Sequence, residues 1–117
     1  MFTEDVLDSF QHCVLCWLAT VDVEGAPNVS PKKVFCADGR KQLLIANIAS
    51  PNSVRNIQSN PRVCVSFIDV FVHKDYKLRG SADIVSPGEP NFAELQVPLG
   101  RMTQGKYRGI VRPWVLL

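Results

Sequence analysis

At 117 residues the chain is long enough for one domain, and it reads as a single domain over 1–117. Hydrophobic residues make up 46% and charged residues 21%, which excludes a disordered chain, and the net charge of +2 from 13 basic and 11 acidic side chains shows no basic face of the kind nucleic-acid binding needs. No apolar run approaches the ~20 residues of a membrane helix, and Glu4, Asp5 and Asp8 do not fit the basic start of a signal peptide, so the expectation is a soluble, cytoplasmic protein.

Residues 3–12, "TEDVLDSFQH", predict an amphipathic helix. Thr3 is placed to cap it, acids fill the first turn, and Val6, Leu7 and Phe10 form the apolar stripe. "CVLCWLATVD" (13–22) is apolar on both faces and predicts a buried strand, ended by a turn at Glu24-Gly25. "PNVSPKKVFCAD" (27–38) predicts a second strand. Its Pro27 and Pro31 favour a sheet edge or an irregular path, because proline gives the ladder no donor. Asp38-Gly39 is a hairpin signal leading into "KQLLIANIA" (41–49), so strands one to three are expected as a meander.

"SPNSVRNIQSN" (50–60) predicts a short helix opened by Ser50-Pro51 and closed by Asn60-Pro61, with Val54 and Ile57 toward the core. "RVCVSFIDVFV" (62–72) is the fourth strand, "HKD" a turn, and "YKLRGSADIV" (76–85) the fifth, where Gly80 suggests a bulge or a close approach. Residues 87–100 allow one short helix, and "YRGIVRPWVLL" (107–117) is a last strand with Pro113 suggesting an edge. The expected fold class is mostly β: a barrel or sandwich of about six short strands with short helices.

Catalytic and metal patterns are weak. Cys13 and Cys16 have metal or redox spacing, but on a strand residues three apart point to opposite faces, and His12 and His73 stand alone. Paired carboxylates and glycine-rich phosphate loops are missing from the pattern. What stands out is a diffuse polar site. If strands two and three are hairpin partners, Ser30 to Lys33 lie near Ile45 to Asn47, and the following helix brings its free N–H groups with Ser50, Asn52 and Ser53. That set suits a phosphate, with one of the adjacent lysines facing it. Helix capping and edge protection by lysine account for the same residues without a ligand.

The segments "LATVDVEGAPNVSP", "LLIANIASPNSVRNIQSNPRVCVSF" and "YKLRGSADIV", in this order over about residues 6–86, resemble the FMN-binding split β-barrel family typified by pyridoxamine 5'-phosphate oxidase. The resemblance implies a six-stranded antiparallel split barrel and a homodimer with FMN in the cleft between subunits. It carries cofactor contacts onto Ser30, Pro31, Lys32 and Lys33, onto Ile45, Ala46 and Asn47, and onto Asn52, Ser53 and Val54. Asp75 or Lys77 would come from the other subunit, and Trp114 is placed to approach the ring.

The helix start "SPNSV" lacks the basic residue members often carry there, so phosphate charge would fall to Lys32, Lys33 or Arg55. The ending "VRPWVLL" departs from the oxidase's Arg- and His-containing substrate segment, so the resemblance implies the cofactor rather than pyridoxamine phosphate oxidation. The function expected is a flavoprotein oxidoreductase between a nicotinamide-type donor and a small acceptor. The alternatives are a non-catalytic FMN carrier and a same-fold binder of haem or a deazaflavin.

Overall fold

A computed structural model describes residues 2–13, 15–33, 35–38, 42–47, 51–69, 74–86, 89, 90, 94 and 109–115. The elements run α1 (Glu4–His12), β1 (Cys16–Val21), β2 (Pro27–Lys32), β3 (Phe35–Asp38), β4 (Gln42–Asn47), α2 (Pro51–Ser59), β5 (Arg62–Asp69), β6 (Lys74–Val85) and β7 (Gly109–Val115). The strands form one antiparallel sheet in the order β2-β1-β5-β6-β7-β4-β3. The protein is thus mostly β with two helices, and the sheet is not closed into a barrel among the described residues.

Seven strands are described where six were expected, because residues 27–38 do not make one strand. The chain bends at Lys33, so β2 pairs with β1 while β3 pairs with β4. The expected meander of strands one to three is therefore two hairpins at opposite ends of the strand order. β2 is an edge strand, in keeping with its two prolines. Pro113 misled the same reasoning: β7 lies inside the sheet, between β6 and β4. The β4–β7 register pairs Gln42 with Trp114 and Ile45 with Val111, skipping Leu43 and Leu44 opposite Pro113 and Arg112. A proline has no N–H to donate, so the ladder lapses there and resumes. Gly80 forms no bulge: it is buried in the ladder between Val63 and Val115. Lys74 and Asp75, expected in a turn, begin β6.

Local signals act as the sequence indicates. Thr3 Oγ1 accepts a hydrogen bond from the Val6 amide at 3.3 Å and caps α1. Phe2, Val6 and Ser9 are buried, Leu7 packs on the core, and the Phe10 side chain lies outside the description. In the β1–β2 turn Asp22 Oδ1 accepts from the amides of Glu24 (2.9 Å) and Ala26 (2.8 Å), and Gly25 takes φ +86°, which a Cβ disfavours. Cys13 caps the end of α1 instead of starting a strand, so the opposite-faces argument does not apply to it. All four cysteines are free.

The core gathers Phe2, Leu18, Phe35, Leu43, Ile45, Ile57, Val65 and Phe67, with Phe67 and Tyr76 stacked at 5.7 Å between centroids. Alternation then assigns the faces. Cys16, Leu18 and Thr20 of β1 point inward, while Trp17 is 43% exposed on the outer face with Val29 and Ile68. The described part of residues 87–100 is Glu89, Pro90 and Glu94, so the expected helix there lies outside the described residues. No described helix is long and apolar enough to cross a membrane.

Candidate functional site

The site is built where α2 meets the β1–β2 hairpin. Ser53, on the first turn of α2, is 1% exposed. Its Oγ lies 3.2 Å from Ser30 Oγ on β2 and accepts from Asn28 Nδ2 at 3.4 Å. One turn on, Asn56 Nδ2 donates to Thr20 Oγ1 of β1 at 3.0 Å, and Thr20 is 4% exposed. Ser53, Asn56 and Ile57 share one helix face at spacings of three and four. That face seats α2 under the hairpin through two small polar residues and one apolar anchor. Ser53 is the deep residue here, and Val54, expected in the core, is half-buried.

Lys32 and Lys33 separate by face, as adjacent strand residues must. Lys32 points inward, 6% exposed, opposite Cys16 of β1. Burial lowers its pKa from the ordinary 10.5, and the thiol of Cys16 works against that shift. Burial in turn pushes the Cys16 thiol up from 9.0 to about 12, against the pull of Lys32. Lys33 is exposed at the bend between β2 and β3, and Pro31 is exposed on the outer face of β2.

Ile45 and Ala46 are buried on β4, and Asn47 ends that strand. Their ladder partner is β3, not the segment Ser30 to Lys33: Phe35 pairs with Ile45. The two groups are linked by a circuit of chain segments and two contacts. Ser30 leads along the chain to Lys33 and Phe35, Phe35 pairs with Ile45, and β4 leads through Asn47 to α2, whose Ser53 returns to Ser30. Asn47 and Pro51 are four residues apart, so the gap between them is at most about 14 Å. Asn52 is exposed, its Oδ1 accepting from Arg55 Nη2, which holds that guanidinium beside the helix start.

Asp75 and Lys77 lie elsewhere, exposed on β6 opposite Ile68 and Ser66. Trp114 pairs with Gln42 and Ser81 in β7. Sequence reasoning missed Asn28, Thr20 and Asn56. The signal for Asn56 was its spacing of three from Ser53 on the helix, but only the fold shows that Asn28 and Thr20 face it.

The described cysteines, histidines and carboxylates form no cluster of three or more that would hold a metal. The donor set is instead hydroxyls, amides, a buried amine and a helix start, which is chemistry for an anion.

Solved structures define the class by shape. HupZ of Group A Streptococcus aligns at TM-score 0.85 and 22% identity, covering 99% of this chain and 90% of its own. HutZ of Vibrio cholerae, a heme storage protein, aligns at TM-score 0.67 and 24% identity over 100% and 92%. An FMN-binding protein from Syntrophomonas wolfei aligns at TM-score 0.69 and 11% identity over 96% and 83%. At these identities the likeness carries the fold. Among curated proteins none matches the chain by sequence. The family follows from the sequence profile: residues 2–112 match pyridoxamine 5'-phosphate oxidase, and the chain belongs to that family.

Proposed function

We propose that the protein is a single-domain FMN-binding flavoprotein of this family, a cytoplasmic homodimer that passes electrons between a nicotinamide-type donor and a small acceptor. The observation that carries the reading is the circuit of contacts joining Ser30, Lys33, Phe35, Ile45, Asn47 and Ser53 around one polar corner. Its donors fit a phosphate monoester. Lys32 is a desolvated cation, and a neighbouring anion would offset the burial that lowers its pKa. The N–H groups at the start of α2 and the hydroxyls of Ser30 and Ser53 complete the anion's shell.

In this reading Pro31, Ile45, Ala46 and Val54 flank the flat ring, Asn47 and Asn52 supply polar contacts, and Asp75 or Lys77 of a second copy covers it. The flavin supplies the redox chemistry when bound; the chain holds and orients it and places positive charge at its edge. No acid or base side chain is required of the protein.

Three measurements test this. The visible spectrum of the purified protein should show the two flavin maxima. A sharp Soret band would favour haem, the second reading, which the likeness to HutZ supports. Lys32→Met preserves bulk in a buried place where glutamate would leave a buried like-sized anion, so it is the informative substitution. It should weaken FMN about tenfold or more, the loss expected for one charge-assisted contact. Unchanged FMN affinity in this variant would place the phosphate elsewhere. Turnover with NADH or NADPH separates an oxidoreductase from a carrier.

A further inference from the structure

β6 has neighbours on both sides along only part of its length. β5 pairs with it from Lys74 to Ser81, and β7 pairs with it from Gly80 to Val85. From Lys74 to Arg79 the side away from β5 meets no other strand among the described residues. The phase of the ladder decides which groups face that side. The Ala82 amide donates to the Pro61 carbonyl at 2.7 Å, and the register from Ser81 back to Lys74 is unbroken. Even-numbered residues of this stretch therefore turn their backbone groups toward β5, and the alternate ones turn theirs away. Ser81, Asp83 and Val85 meet β7 in this way, whereas Asp75, Lys77 and Arg79 present N–H and C=O groups to an open edge. Such an edge is a template for another strand.

Charge guards many edges, and a guard of one sign repels an incoming copy of itself. Here both signs stand two residues apart. Asp75 and Lys77 are exposed on the same face of β6, opposite Ile68 and Ser66 of β5. An acid and a base at this spacing complement themselves about a two-fold axis. An antiparallel copy of the strand centred on Tyr76 brings Asp75 opposite Lys77 twice, and these are two of the residues whose backbone groups face outward. A register centred on Lys77 would bring Asp75 opposite Arg79 but set Lys77 against Lys77, and like charges directly opposite destabilise a strand pair.

We infer that a second copy of this chain joins at this edge: β6 pairs antiparallel with β6 of the other copy about an axis at Tyr76, with Asp75 opposite Lys77 of the partner subunit and Lys77 opposite Asp75 of the partner subunit. The sheet then continues from one copy into the next, held by backbone hydrogen bonds at Asp75 and Lys77 and by two symmetric ion pairs. The inference rests on the homodimer proposed above and adds where its copies join.

Sedimentation velocity of the full chain with its native cofactor content, at low ionic strength, is the test. The wild-type protein should sediment as a dimer. Lys77→Asp sets acid against acid and Asp75→Lys sets base against base at both symmetric contacts, so each should raise the dimer dissociation constant about tenfold or more. The double variant Asp75→Lys/Lys77→Asp restores opposite charges and should return the constant close to the wild-type value. Lys77→Pro removes an outward N–H that β5 does not use, and it should also weaken the dimer. Circular dichroism of each variant separates loss of the dimer from loss of the fold, and recovery in the double variant does so independently. A dimer unaffected by the single substitutions, or a double variant that fails to recover, would overturn this seam and leave the homodimer reading standing. A monomeric wild-type protein would overturn both and leave the edge to a different partner.

Discussion

Cys16 gives the prediction with the clearest sign. Its thiol is fully buried in β1 and titrates at about 12 in place of 9.0. The folded protein therefore keeps this proton where the unfolded chain releases it. A raised folded pKa contributes stability that is complete below pH 9 and is lost as pH rises toward 12. A shift of about three units corresponds to roughly 4 kcal/mol across the whole window, and about 1.4 kcal/mol is already gone at pH 10.

Lys32, facing Cys16, acts in the opposite direction. Its pKa is lowered by burial, so the folded state sheds that proton first, and stability rises as pH climbs toward 10.5. The raw pH profile thus mixes the two, and a comparison isolates the thiol. Urea unfolding of the protein and of Cys16→Ala, at intervals from pH 7.5 to 10, should show the variant less stable throughout from its lost packing. The gap should narrow by about 1.4 kcal/mol between pH 8 and pH 10. Parallel profiles for the two proteins would refute the buried, high-pKa thiol and, with it, the close packing of Lys32 on β1.

The hydroxyl contact between Ser30 and Ser53 should appear as coupling: in a cycle of Ser30→Ala, Ser53→Ala and the double variant, urea unfolding should give about 0.5–1.5 kcal/mol of interaction. Zero coupling would mean that α2 is not seated on β2 by these groups. At Gly25 nothing lies within 4 Å of where a Cβ would stand, so Gly25→Ala tests the backbone alone. It should cost about 1–2 kcal/mol from the positive φ, and Gly25→Asn less, as read from unfolding midpoints.

Much of the fold was legible because local chemistry and tertiary structure agree. The cap at Thr3, the turn at Asp22 to Gly25, the α2 boundaries and the paired strands β5 and β6 each carry their own signal. The strand from 27 to 38 was misread because strand-like sequence continues on both sides of Lys33 with no glycine or turn signal between. The break there follows from β2 pairing with β1 and β3 with β4, long-range pairings that no local pattern encodes. Pro113 was placed at an edge by a sound rule, but a two-residue lapse in one ladder lets the proline sit inside the sheet.

The candidate site was legible as a list of segments and not as a geometry. Ser53 and Ser30 meet, yet the route that unites β2 with β4 runs through β3. Asn28 and Thr20 carried no signal that sets them apart from ordinary residues, and Asn56 carried only its helical spacing from Ser53, until the hairpin and helix were docked.

The bend at Lys33 has a mechanical meaning. β2 and β3 are neighbours in the chain but terminate opposite ends of the strand order, and the described ladders do not pair them with one another. The two banks of the polar corner are therefore tied by a short covalent strap and by side chains, with no rung of backbone hydrogen bonds fixing the span between them. Among the described residues, the span across that mouth is held by side-chain contacts such as Ser30 on Ser53 and not by the ladder of the sheet.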